Sequence, residues 1–295
     1  MSASARPGGI LVAVDGSPAS KVATDWAARN AAMKHLPLKL VVVISPPTVL
    51  GFPEVPVPSV YFDWQAGEGR KVLDDALAVV NEATADTPIE VTSETVPGST
   101  VPTLVELSKD AQLIVVGCRG HGALARGLLG SVSSGLIHHA HCPVAVIHDE
   151  DPLMPHPSQA PVVVGIDGSP ASELATEIAF EEASFRGVDL VAVHAWNDSD
   201  VFEVPGVDWS ALQAAGEETL SERLAGWSER YPDVTVRRIV VADKAARQLV
   251  EQSESAQLLV VGSRGRGGFT EMLLGSVSAA VVNAARMPVI VARSA

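Results

Sequence analysis

The sequence predicts an α/β protein built from two tandem, doubly wound, five-stranded parallel-sheet domains. Three observations carry that expectation. Short apolar runs alternate with helical patterns, the order that yields parallel strands joined by crossover helices. The series is interrupted once, by the proline- and acid-rich stretch DEDPLMPHPSQAP at 149–161. The two halves also repeat each other: ILVAVDGSPAS at 10–20 returns as VVVGIDGSPAS at 162–172, and the pattern from Leu104 to Gly120 returns from Leu249 to Gly265. The offset is 152 in the first match and 145 in the second, and the difference is expected around the first crossover and the loop after it. A repeat of that length is a domain rather than a solenoid unit. The expected domains are 1–148 and 161–295, with 149–160 as linker. A closed eightfold barrel would need eight strand–helix units in series, whereas here five are followed by a linker and five more.

Each element has a local reason. Residues 10–14 are a continuous apolar run, hence a buried strand. Asp15-Gly16 closes it, Ser17 has N-cap chemistry, and Pro18 suits the first helical position, where a missing N–H costs nothing. That helix should reach about Lys34, and 38–44 is a second buried strand. Prolines 46, 47, 53, 56 and 58 exclude regular structure from the next loop. From 65 to about 85, Val72, Leu73, Leu77 and Val80 share one helical face. Residues 89–96 alternate and suit an edge strand. A short helix is expected at 101–109, a strand at 113–116, a helix at 131–140 and a strand at 144–147. The second half should place strands near 162–166, 188–194, 234–241, 258–261 and 289–292.

Composition narrows the class. Hydrophobic residues make up 47% of 295 while aromatics make up 4%, so the cores are aliphatic, as in parallel sheets covered on both faces. A net charge of −14 argues against a nucleic-acid-binding surface, so any anion site must be local, made of backbone N–H groups and one or two arginines. Two cysteines, Cys118 and Cys142, with no CxxC pair, make a disulfide framework unexpected. Residues 1–9 lack the apolar segment of a signal peptide, and no apolar run approaches the ~20 residues of a membrane span. A cytoplasmic location is the expectation.

The candidate chemistry lies where the strand order of an open α/β sheet reverses, beyond the carboxyl ends of the strands. There the first and fourth strands of each half would bring Asp15 beside Gly117, and Asp167 beside Gly262. Gly117 and Gly120 are expected to supply positive φ and close backbone approach, and their N–H groups an anion nest. Gly130-Ser131 opens a helix whose free N–H groups favour phosphate, and the Ser131 hydroxyl can cap that helix or meet a phosphate oxygen. Asp15 and Asp167 suit ribose hydroxyls or a hydrated Mg²⁺. Arg119 and Arg264 supply matched positive charge. Single glycines after strands are usually just turns, and the recurrence of the whole set is what points to a ligand. His138, His139, His141 and Cys142 resemble a metal cluster, but the second half has Asn283, Ala284 and Arg286 at the counterparts of the histidines; cations at a helix C-terminus are the simpler reading. Cys118 could be an oxidisable thiol, yet Ser263 replaces it in the other half. No GxSxG, Walker, HExxH or strand-one GxGxxG motif is present, which disfavours hydrolase, P-loop and dehydrogenase chemistry.

At these residues the chain resembles the universal stress protein family in its tandem, actinobacterial form. The family's ATP-binding signature is Gly, two residues, Gly, nine residues, Gly and then Ser or Thr. Gly117, Gly120 and Gly130-Ser131 meet it, as do Gly262, Gly265 and Gly275-Ser276. The resemblance implies strand order 3-2-1-4-5 and one ATP in each domain. It also implies that Asp15 and Asp167 meet the ribose, while the backbone of Ala13 and Gly165, with Val43 and Val193, flanks the adenine. Gly117, Cys118, Arg119, Gly120, His121 and Gly122, and likewise Gly262, Ser263, Arg264, Gly265, Arg266 and Gly267, would run beside ribose and phosphates. Ser131, Val132, Ser276 and Val277 would hold phosphates, and Asp198 would neighbour the base. His121 aligns with Arg266 and Arg126 with Glu271, so the two sites are expected to differ. The expected function is an ATP-binding regulator of stress, dormancy or growth with little or no turnover. A slow ATPase or nucleotidyl transferase and a nucleotide-free interaction module are the alternatives. The strand at 144–147 and its counterpart at 289–292 are apolar, and in the family domains pair there. Intramolecular domain pairing, a homodimer and a regulatory protein partner are expected accordingly.

Overall fold

The structure is a computed structural model that describes residues 8–45, 59–120, 129–148, 157–195, 209–265 and 273–293. The chain divides into two compact units, Met1–Asp149 and Glu150–Ser294.

The first unit runs β1 (Ile10–Ala13), α1 (Pro18–Lys34), β2 (Leu38–Ile44), α2 (Ser59–Ala83), β3 (Val91–Pro97), α3 (Thr100–Leu107), β4 (Leu113–Gly117), α4 (Ser131–His139) and β5 (Val144–Ile147). All strand pairings are parallel, in the order β3-β2-β1-β4-β5. Strand β1 is the switch point, with Ile10 opposite both Leu38 and Leu113. Strands β1, β4 and β5 are apolar throughout and buried, except for half-buried Ala13 and Gly117 at the carboxyl ends of β1 and β4, as strands covered on both faces must be. β3 ends the order, as expected of an edge strand, but its Thr92, Ser93 and Glu94 are exposed in a row, so the expected alternation of burial is absent.

Helix α1 shows why the ends of these elements are sharp. The Ser17 hydroxyl accepts the Ser20 N–H at 3.2 Å and Pro18 is the first helical residue. The helix stops at His35, left-handed at φ 54°, whose N–H closes on the Ala31 and Ala32 carbonyls. Ala19, Ala23, Ala27, Ala28 and Ala31 are all buried, and such small side chains let the helix lie close to the sheet.

The second unit repeats the plan: β6 (Val162–Gly165), α5 (Pro170–Arg186), β7 (Leu190–Ala195), α6 (Trp209–Leu224), α7 (Trp227–Arg230), β8 (Val236–Val241), α8 (Ala245–Ser253), β9 (Leu258–Gly262), α9 (Ser276–Ala284) and β10 (Val289–Ala292). Its parallel order is β8-β7-β6-β9-β10. β1 and β6 pair with β2 and β7 in the same register, Ile10 with Leu38 and Val162 with Leu190. The difference in repeat offset therefore falls after β2 and β7, later than the first crossover where the sequence suggested it. Over that stretch the second unit is the shorter one, and α6 and α7 together stand where the first unit has the single helix α2. Gly226 turns the chain at φ 82°, and Trp227 and Tyr231 stack on the buried Phe180 with centroids at 5.6 and 5.7 Å.

Candidate functional site

Each unit builds the same constellation at the carboxyl end of its central strands. In the first, Val14 N–H extends the ladder to Val41 at 2.9 Å and the chain then turns through Gly16 at φ 82°. Asp15 Oδ1 accepts the Ser17 N–H at 2.9 Å, and the Ser20 hydroxyl accepts the Asp15 N–H at 3.3 Å. One carboxylate oxygen thus holds the turn. The other faces the glycine loop, since a Cβ built on Gly120 would lie 2.5 Å from Asp15 Oδ2. The second unit reproduces this arrangement. Ser169 N–H donates to Asp167 Oδ1 at 2.9 Å, Asp167 N–H donates to the Ser172 hydroxyl at 3.1 Å, and a Cβ on Gly265 would meet Asp167 Oδ2 at 2.5 Å.

The loop after β4 is pinned on its other side. Cys118 N–H donates to the Ile147 carbonyl at 2.8 Å, and its own carbonyl accepts the Gly130 N–H at 2.8 Å and the Ser133 hydroxyl at 3.0 Å. In the second unit Ser263 bonds the Ala292 carbonyl at 2.9 Å, Gly275 N–H meets the Ser263 carbonyl at 2.8 Å, and the Ser278 hydroxyl meets the Gly262 carbonyl at 2.6 Å. These bonds tie the first turns of α4 and α9 to the glycine loops, so the N–H groups of a helix start lie next to the strand aspartate. That juxtaposition suits an anionic ligand bearing a polyol: helix N–H groups for phosphate, an acceptor carboxylate for hydroxyls.

Three expectations are corrected. Gly117, Gly120 and their counterparts do not sit at positive φ. They are glycines for clearance: a Cβ on Gly117 would stand 2.8 Å from the Ala19 carbonyl carbon of α1, and one on Gly262 would stand 2.8 Å from that of Ala171. Ser131 does not cap its helix; Gly130 is the N-cap, without a side-chain bond, and Ser131 is the first helical residue and exposed. Ser276 stands likewise after Gly275. Finally, Val43 and Val193 are not equivalent. Val193 pairs with Gly165 as Val41 pairs with Ala13, whereas Val43 lies further along, opposite Val96. The repeat offset through the second strand is 152, and an alignment shifted by two residues mismatches them.

The remaining candidates fall where the loops put them. Val132 and Val277 are the second helical residues of α4 and α9 and are half-buried. Arg119 is half-buried and Arg264 exposed, with the Arg264 carbonyl accepting the Ser169 hydroxyl at 3.1 Å. Cys118 and Ser263 are buried, which removes the Cys118 thiol from solvent. His121, Gly122, Asp198, Arg266 and Gly267, like Arg126 and Glu271, lie outside the described residues. His138 Nδ1 is 2.6 Å from the Ser134 carbonyl of its own helix and Cys142 is buried, which suits local helix-end contacts. Among the described residues no three His, Cys, Asp or Glu side chains gather as a metal site.

The structure adds residues that sequence reasoning missed. Ser20 and Ser172 fix the aspartate's own N–H, and Ser133 and Ser278 fix the glycine loops. The signal existed, because each serine recurs in both halves. His194 had no such signal: it is buried, with Nδ1 2.7 Å from the Ile166 carbonyl, immediately before Asp167.

Comparison with known proteins agrees with this fold. Residues 9–148 and 160–293 match the model of the Universal stress protein family. A universal stress protein of Mycobacterium tuberculosis is 60% identical over 286 residues, spanning 97% of this chain and 96% of its own. One from Mycobacterium bovis is 56% identical over 294 residues, 99% of each chain. Among solved structures, a universal stress protein from Archaeoglobus fulgidus superposes with a TM-score of 0.70 at 21% identity, covering 97% of this chain and 96% of that one, a likeness of fold.

Proposed function

Since the chain belongs to the universal stress protein family through both of its halves, we propose that it is a regulator that holds one ATP in each unit with little or no turnover. The observation that carries this reading is the facing of Asp15 Oδ2 and Gly120, and of Asp167 Oδ2 and Gly265, across a gap that a single Cβ would fill. A side chain at either glycine would press on that carboxylate oxygen and displace it, so the glycines keep the oxygen in place for a ribose edge lying beside the loop, and the adjacent start of α4 or α9 then receives the phosphates. The strand aspartates fit a ribose better than a first-coordination-sphere Mg²⁺. One of the two oxygens already accepts a backbone N–H, so Mg²⁺ would ride on the phosphates.

The reading is a holder rather than a catalyst because the described site offers one carboxylate per unit, and that carboxylate is engaged in the turn. Regulation then follows from occupancy: the loops 118–120 and 263–265 are bonded to the helix starts, and a partner protein could read their ordered state. A cytoplasmic homodimer is the setting we propose. Denaturing the purified protein and identifying what it releases tests the core of this. The expected result is close to two adenine nucleotides per chain, mostly triphosphate, and release of none would overturn it. A single-turnover assay with γ-labelled ATP and Mg²⁺ should show no phosphate release on the timescale of minutes.

A further inference from the structure

Among the described residues the two sites also differ at a position after the last strand, outside the glycine signature. The residue following the last strand of each unit is His148 in the first and Arg293 in the second. Both stand next to the glycine loop, since Cys118 and Ser263 donate their N–H groups to the preceding residues, Ile147 and Ala292. In the second unit the Arg293 guanidinium reaches across to the Leu273 carbonyl at 3.0 Å. That carbonyl lies two residues before Gly275, the N-cap of α9. Arg293 therefore lies against the segment that leads into the phosphate end of the site. It is close enough to Arg264 to feel its charge: burial first, and Arg264 second, push its pKa below the usual arginine range. The Arg293 guanidinium is thereby held beside the lead-in to α9, with Arg264 of the glycine loop as its charged neighbour. At the corresponding chain positions the first unit has Arg119 and His148.

We propose that Arg293 makes the second unit's site selective for the longer, more highly charged phosphate chain, so that it discriminates ATP from AMP more strongly than the first. This deepens the nucleotide-holding reading and rests on it. The physical reason is that two like charges brought together in a partly buried place repel each other, and an anion of matching charge relieves that repulsion. A triphosphate extends further toward the α9 end and carries more charge than a monophosphate, so the extra arginine acts on ATP more than on AMP.

The test measures ATP, ADP and AMP binding by calorimetry on full-length protein with one site silenced by a bulky residue in its Asp–Gly gap. In Gly120→Val protein, where the second site reports, Arg293→Gln should weaken ATP roughly tenfold and AMP less than about twofold. Glutamine keeps a donor for the Leu273 carbonyl, so a merely structural role would leave the ATP-to-AMP ratio unchanged, and that outcome overturns the proposal. In Gly265→Val protein, His148→Arg should raise the ratio at the first site; no rise overturns it equally. Binding of no nucleotide by the unmodified chain would instead sink the holding reading itself, and the two failures are thereby distinguished.

Discussion

Gly117 and Gly120 look alike in the sequence, as glycines after a strand, yet they answer to different constraints. Gly117 is crowded by backbone: its missing Cβ would press on Ala19 of α1, which cannot give way without moving the helix. Gly120 is crowded by the end of one side chain, Asp15. Gly117→Ala should therefore cost about 1–3 kcal/mol of stability, the usual cost of overpacking. Gly120→Ala should leave the melting curve of nucleotide-free protein nearly unchanged while lowering the nucleotide retained per chain toward half. Thermal melts and released-nucleotide counts on both variants check this. Equal effects on stability and retention would mean the two glycines are interchangeable after all. The glycines of the site were legible, but their reasons were not. Whether a missing Cβ buys a positive φ or a clearance depends on which element packs against it, and that is a tertiary fact.

At the scale of elements, legibility follows how local the determining physics is. The start of helix α1 was readable because Ser17 and Pro18 fix it without outside help, while its end was placed only near Lys34. Helix α2 begins at Ser59, six residues before the expected start. Its first turns carry Val60, Phe62 and Trp64 exposed, so no apolar stripe announces them. The α4 cap was misread because a glycine and a serine adjoin and either can precede a helix. The caps of α1 and α5 allow a comparison inside one molecule. Ser17→Ala should cost about 1 kcal/mol, the typical worth of an N-cap. Ser169 holds the same cap and also donates to the Arg264 carbonyl of the glycine loop at 3.1 Å. Ser169→Ala should therefore weaken nucleotide binding by the second unit in addition to lowering stability. Denaturant melts with calorimetry on the two variants compare them, and an equal loss of stability with unchanged binding in both would show that the loop contact is idle.

Over the whole molecule the net charge of −14 opposes the ATP proposed for the two sites. An ATP anion approaching from bulk meets a repulsive field, and only within the site do helix N–H groups and arginines reverse its sign. The two ranges respond differently to salt. The long-range field is cut as the screening length falls from about 30 Å at 0.01 M to about 8 Å at 0.15 M, whereas contacts made at hydrogen-bond distance and partly out of water are screened much less. The association rate for ATP should therefore rise with salt over that interval, while the dissociation rate changes little. Binding becomes modestly tighter, the reverse of what a basic, phosphate-attracting surface gives. Stopped-flow measurements with a fluorescent ATP analogue at several salt concentrations check the sign directly. A falling association rate would mean that a positive field at the mouth of the sites outweighs the net charge. The composition alone places the repulsion, and the proposed sites put the attraction at the ends of α4 and α9; the salt dependence is where the two can be told apart.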